Sequence, residues 1–259
     1  MDLGLTERQA IVCASSRGLG LACAAALLRE GCRVVINGRD AATLSAAADA
    51  LRTAHGDNVT AVAADLNTSD GRAELLAACT EPDILVNNNA GPPPGTFAHW
   101  GQQEFQAALD ANLLAPAFMI QGVIEGMKAR RFGRIVNITS AMVKSPHAAM
   151  GLSTAARSGL TALCKGLSNE AVAFNVTINN LLPERFDTDR QKFMAKMMME
   201  RQGLTFDEAR EAIASTINAK RFGQPEEFGD ACAYLCSAQA GFISGQNLQL
   251  DGGSYAGLI

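Results

Sequence analysis

Short apolar runs alternate with longer amphipathic stretches along this chain, and that rhythm restricts the fold more than any other feature. The runs sit at 10–14, 33–37, 60–64, 84–87, 133–138, 175–181 and 247–250. They are rich in Val, Ile, Leu and Ala, the pattern of strands covered on both faces. Between them, helical periodicity appears near 18–30, 40–55, 69–80, 102–129, 152–173 and 226–236. Such alternation implies repeated βαβ crossovers, hence an α/β fold with a Rossmann-type, doubly wound, seven-stranded parallel sheet. No linker, repeat or composition shift divides the chain, so a single domain over 1–259 is expected. One segment, at about 186–222, breaks the rhythm with two polar, Met-rich helical stretches and is read as a lid insertion. Its thioethers either adapt to an apolar ligand or pack the lid onto the body or a neighbouring subunit.

Composition narrows the function. A net charge of −4 without blocks of like charge supplies no basic face for nucleic acid. No apolar run reads as a membrane span and no basic-then-apolar leader opens the chain, so a cytoplasmic location without a membrane partner is expected. The seven cysteines (Cys13, Cys23, Cys32, Cys79, Cys164, Cys232, Cys236) include no C-x-x-C pair. Cys232 and Cys236 lie one turn apart with no His nearby, so free buried thiols are expected. His55 and His99 lack ligand-spaced partners, and no metal is expected.

The first strand runs into Cys13-Ala-Ser-Ser-Arg-Gly18-Leu-Gly20 and then an Ala- and Leu-rich helix. Glycines at a strand–turn–helix junction let backbone N–H groups and a helix N-terminus face a pyrophosphate. The second strand ends in Asn37-Gly38-Arg39-Asp40. An NAD site places an acid at its tip to bind the ribose hydroxyls, but here the position is Gly38. Arg39 follows directly and Arg17 lies in the turn opposite. Two guanidinium groups suit a 2′-phosphate, favouring NADP(H) over NAD(H). Asp40 either turns inward or starts the next helix. Further on, Ile135-Val-Asn-Ile-Thr-Ser140 is followed thirteen residues later by Ser153-Thr-Ala-Ala-Arg157.

Together these segments resemble the short-chain dehydrogenase/reductase family, in particular its 3-oxoacyl-carrier-protein reductase-like members, over residues 8 to 253. The family's glycine turn is Thr-Gly-x-x-x-Gly-x-Gly; Gly18 and Gly20 match it, while Cys13 and Ala14 depart. The resemblance implies that Ser15, Ser16, Arg17, Gly18, Leu19 and Gly20 surround the pyrophosphate, and Asp65 and Leu66 the adenine. It brings Asn89, Ala90 and Gly91 of Asn88-Asn-Ala-Gly91 and Pro183 to the cofactor, with Thr188 at the carboxamide and Arg157 at the ribose. Asn112 matches a structural and proton-relay asparagine. Arg221-Phe-Gly-Gln-Pro-Glu-Glu and Asp251-Gly-Gly253 also look like family text. The implied protein is a homotetramer or homodimer.

In the family's active site a serine precedes Tyr-x-x-x-Lys. Here Ser140 keeps its place, Ser153 stands for the tyrosine and Arg157 for the lysine. A serine hydroxyl is a far weaker acid than phenol, and arginine's forked, delocalised charge is no copy of an ammonium. The resemblance implies carbonyl or secondary-alcohol oxidoreduction with NADP(H) on a small-molecule substrate. Ser140 would hold the carbonyl oxygen, Arg157 the ribose and Asn112 a water, with Ser153 or a loop residue on the proton path. Lys144, His147 and Glu184 are stand-in proton donors or plain loop residues, and Tyr234 and Tyr255 read as packing residues. Pro92-Pro93-Pro94 either shapes a substrate entrance or braces the next helix. The alternatives are a nucleotide-binding protein without turnover, serving as redox sensor or partner subunit, and a non-redox isomerase or lyase.

Overall fold

A computed structural model describes residues 1–258; Ile259, the last residue of the expected domain, lies outside them. Seven strands form one fully parallel sheet, β1 (Gln9–Val12), β2 (Arg33–Gly38), β3 (Val59–Ala63), β4 (Ile84–Asn87), β5 (Gly133–Ile138), β6 (Val176–Pro183) and β7 (Asn247–Leu250). Their order is β3-β2-β1-β4-β5-β6-β7. The winding reverses between β1 and β4, and ligands of doubly wound sheets bind at the carboxyl ends beside such a reversal. Every expected strand is present, three with the expected bounds and four with ends displaced by one or two residues. β1 stops two residues early because Ala14 takes a left-handed φ of +43°, which turns the chain out of the sheet.

Successive strand residues feed opposite faces. Val12, Val34, Ile36, Val86 and Val136 join one buried cluster, and Ile11, Val35, Leu85 and Ile135 the other. Helices α1 (Gly18–Arg29), α2 (Ala41–His55) and α9 (Pro225–Cys236) cover the first face. The second is covered by α3 (Ser69–Ala77), α5 (Ala115–Arg130) and α6 (Gly151–Ala171). All seven cysteines are free and buried, as their spacing suggested. Gly229 lets α9 approach α1 closely, since a Cβ there would meet Ala22 O at 2.5 Å.

One expectation holds with a refinement and another needs correction. The long helix runs continuously but changes pitch: α4 (Gln102–Leu109) passes through a π turn over Asp110–Leu114 into α5. In addition, the helical run Gln102–Arg130 contains an 18-residue stretch with a mean hydropathy of 1.4, and so is long and apolar enough to cross a membrane by length and composition. Its apolarity has a packing explanation, because Met119, Ile120, Val123 and Met127 are buried against the sheet.

The segment at 186–222 folds as α7 (Asp189–Gln202) and α8 (Phe206–Ser215) around a small core of its own, including Ala195, Ala209, Ile213 and Phe222. Within it, Asp187 joins the start of the segment to α8, its two oxygens accepting from Arg210 at 3.0 and 2.8 Å. Arg210 in turn lies 4.6 Å from the Phe222 ring.

Candidate active site

The glycine turn is built by side chains that β1 and β2 supply. Ser15 is fully buried; its hydroxyl donates to Val12 O at 2.6 Å and accepts from Asn37 N at 3.0 Å. Its amide donates to Asn37 O, so this residue, expected at the pyrophosphate, commits its donors to scaffolding. Asn37 adds a bond from Ala14 N to its Oδ1 at 3.2 Å, which holds the left-handed turn where the family keeps glycine. Gly20 is required by space, because a Cβ would meet Ala14 O at 2.5 Å and Asn88 Nδ2 at 2.9 Å. Gly18 adopts a φ of +59°, and a Cβ there would lie 3.8 Å from Thr188 Cγ2. The fold thus brings Thr188 onto the turn from 170 residues away in the chain.

At the β2 tip, a Cβ on Gly38 would lie 3.1 Å from Ser16 Cβ and Oγ, so Ser16 occupies the neighbourhood of the missing acid. Asp40 starts α2, accepting from Thr43 N at 2.8 Å. Its carboxyl is held below the usual range by Thr43, with Arg17 as a lesser cause. Arg17 and Arg39 are both exposed at this end. Asp65 accepts from Asn67 N at 3.0 Å, Leu66 is buried, and Asn89 Nδ2 donates to Asn67 Oδ1 at 3.1 Å, joining the loops after β3 and β4. The cradle left by the glycines and the cations at the β2 tip fit a phosphorylated dinucleotide.

The reaction end is gathered from four elements. Asn112, buried within the π turn, donates to Ala90 O at 3.2 Å and holds the loop after β4. That geometry suits π turns, which are often found at functional sites. Gly91 presents its backbone to α6, since a Cβ there would lie 3.4 Å from Arg157 Nη2 and 3.9 Å from Ser153 Oγ. Ser140 follows β5 and accepts from Met142 N at 3.2 Å. Ser153 and Arg157, one turn apart on α6, are both buried.

Arg157 Nη1 donates to Ile138 O at 2.7 Å and Thr139 O at 2.8 Å, capping the end of β5. Its Nε donates to Ser153 Oγ at 3.1 Å. Burial, followed by the charge of Arg190, pushes this guanidinium down to about 10. Each serine thus accepts a bond from protein and retains its own hydroxyl proton to donate.

Ser140, Ser153 and Arg157 line a cleft of about 560 Å³ at the carboxyl edge of the sheet. Pro92 and Pro94 also line it, and the loop is braced as well: Gly95 N donates to Ala149 O at 2.9 Å, and Trp100 packs on Gly95 and Gly151. Pro183 and Glu184 form the lip after β6, where Glu184 accepts from Arg185 Nε at 3.4 Å. His147 is exposed and accepts from Ala149 N at 3.3 Å as the cap of a short turn.

The matching family model, described as enoyl-(acyl carrier protein) reductase, spans residues 13–255. The chain belongs to the short-chain dehydrogenase/reductase family. Among its relatives is the NADPH-dependent reductase BacG of Bacillus subtilis, 30% identical over 255 residues, covering 96% of this chain and 98% of BacG. The 3-oxoacyl-[acyl-carrier-protein] reductase FabG of Rickettsia bellii is 31% identical over 252 residues, covering 97% and 98% of the two chains. L-sorbose reductase from Gluconobacter frateurii, in a crystal structure with NADPH and L-sorbose, superposes with a TM-score of 0.94. It is 27% identical, with 100% of each chain covered.

Within this short-chain dehydrogenase/reductase framework, three features escaped sequence reading. Asn87, Asn137, Asn180 and Asn247 occupy matched registers on β4 to β7, with side-chain bonds at 2.9, 2.9 and 2.8 Å in succession. An asparagine inside each of four apolar runs was the available signal. Tyr255, remote in sequence, lies beside the active-site loop, with Lys144 Nζ 5.4 Å from its ring. The tail is folded there by Asp251, which accepts from Gly253 N and Tyr255 N at 2.9 Å each. Lastly, one face of α7 carries Arg190, Met194, Met197, Met198 and Arg201 into the cleft; only its methionines were singled out from the sequence.

Proposed function

We propose that the protein is an NADP(H)-dependent oxidoreductase that interconverts a small-molecule carbonyl and its secondary alcohol. The observation that carries this reading is the pair of serine hydroxyls, Ser140 and Ser153, lining one cleft beside the glycine turn, each free to donate. The named relatives BacG and L-sorbose reductase, both tied to NADPH, support reduction over a binding-only or non-redox role. Arg17 and Arg39 would hold the 2′-phosphate, and the turn at Gly18–Gly20 the pyrophosphate. Thr188 and Pro183 would border the carboxamide.

When bound, the coenzyme supplies the hydride. The chain's own residues do the rest. Ser140 and Ser153 donate to the carbonyl oxygen and oppose the charge that grows on it. Ser153 passes its proton to that oxygen and regains one from Arg157 Nε across the 3.1 Å contact, and solvent returns the proton to the guanidinium. The short serine side chain stands back from the place of a phenol oxygen, which widens the room for substrate.

The test is NADPH consumption, followed at 340 nm, with a panel of ketones and oxoacyl thioesters. Turnover with at least one carbonyl is expected. Tight NADPH binding with no consumption across the panel would refute the redox reading.

A further inference from the structure

The chain carries a net charge of −4, yet its cleft is basic. The lining holds Arg157, Arg185, Arg190 and Arg201 against the carboxylate of Glu184. Arg157 is committed to Ser153 and the β5 carbonyls, and Arg185 to Glu184. Neighbouring acids are engaged elsewhere: Asp187 grips Arg210, and Asp189 faces Lys192 at 3.6 Å. Among the described residues, the side chains of Arg190 and Arg201 make no hydrogen bond or ion pair. Both side chains are exposed at the cleft, and cations there raise the local potential for anionic ligands.

The two free arginines are not equivalent. Eleven residues, three helical turns, separate them, so their backbones lie about 16 Å apart at roughly 1.5 Å per residue. Arg190 is at the Thr188 end and lines the same cleft as Ser140, Ser153 and Arg157. Between the two lie the thioethers of Met194, Met197 and Met198, an adaptable apolar surface for an alkyl chain.

We propose that Arg190 is a specificity-determining residue, selecting carbonyl substrates with a carboxylate one or two carbons from the reacting carbon and an unbranched apolar chain laid along the methionine face of α7. The substrate class is thus the aliphatic oxo acids. This rests on the carbonyl chemistry proposed above. A carboxylate held by Arg190 orients the neighbouring carbonyl toward Ser140 and Ser153, which a neutral ketone of equal chain length cannot match.

The experiment compares 2-oxooctanoate with octan-2-one, using NADPH, in the wild-type protein and in Arg190→Ala and Arg190→Lys. The oxo acid is expected to have the higher kcat/KM. Arg190→Ala should lower the ratio of the two kcat/KM values by about tenfold, as loss of a charge-assisted hydrogen bond implies, and Arg190→Lys should restore part of it. A wild-type preference for octan-2-one overturns the proposal. So does a rise in KM for NADPH as large as that for the oxo acid, which would assign Arg190 to the coenzyme. If neither carbonyl is reduced, the redox reading fails separately, and calorimetry with octanoate and octan-1-ol on the NADP-loaded protein decides the matter. Octanoate binding that Arg190→Ala abolishes upholds the anion site; equal or absent binding of the two overturns it.

Discussion

The guanidinium of Arg157 donates to Ser153 Oγ across 3.1 Å, from one turn further along α6. The same side chain caps the carbonyls of Ile138, the last residue of β5, and of Thr139 just after it, at 2.7 and 2.8 Å. One residue therefore ties the active-site helix to the sheet and polarises the hydroxyl that stands in the family's tyrosine position.

A pH profile follows from that contact. Burial brings Arg157 down to about 10, near the ordinary value of a free phenol at about 10. The guanidinium is protonated below this pH and loses its proton above it, so the contribution is present at neutrality and lost on the alkaline side. We expect kcat/KM for carbonyl reduction to be level up to about pH 9 and to fall above about 10. Ser153→Ala should lower it by roughly 10²-fold, in the range of general acid–base effects, and remove the alkaline limb. An unchanged profile in that variant would remove Ser153 from the proton path.

Restoring the family pair tests whether the cavity still suits a phenol. Ser153→Tyr combined with Arg157→Lys should raise the reductase rate by at least about tenfold, the low side of what an acid–base group contributes. A correctly folded, NADPH-binding double variant with no gain would mean that the cleft has been reshaped for serine. Single-turnover kinetics would make the comparison free of product release.

Coenzyme choice is expected to reside at the β2 tip. Arg39→Ala should raise KM for NADPH about tenfold, as loss of one charge-assisted phosphate contact implies, and move KM for NADH by less than about twofold. Equal effects on both coenzymes would place Arg39 away from the 2′-phosphate.

The asparagine ladder predicts a stability effect far from the chemistry. Asn137 is fully buried, accepting from Asn87 and donating to Asn180. Asn137→Leu keeps similar bulk but strands polar atoms on both neighbours, at a cost of about 2–4 kcal/mol by the usual penalty for buried unpaired groups. Urea unfolding measures it, and a loss below about 1 kcal/mol would show that the neighbours re-pair.

Ala14 offers the opposite sign. Its φ of +43° costs an L-residue about 1–2 kcal/mol, against roughly 0.5–1 kcal/mol for the extra chain entropy of glycine. Ala14→Gly should therefore stabilise the fold by about 0.5–1 kcal/mol in thermal unfolding. Destabilisation would mean that the Asn37 and Asn88 contacts to Ala14 depend on its methyl group.

The sequence by itself determined the seven parallel strands, the glycine turn and the exchange of Tyr and Lys for Ser153 and Arg157. Those features are local, since side-chain period and turn chemistry act over a few residues. It also pointed to Ser140, Asn112 and Gly91 as candidate site residues through motif position, and to the separate helical segment at 186–222 through its break in rhythm. Only the tertiary structure decided that Arg157 caps β5, that Asn87, Asn137, Asn180 and Asn247 share one register, and that Tyr255 reaches Lys144. It alone left Arg190 without an acid, because Asp187 is taken by Arg210 and Asp189 faces Lys192. Hydrogen bonds and charge pairing depend on distances between residues far apart along the chain, and periodicity carries no record of those distances.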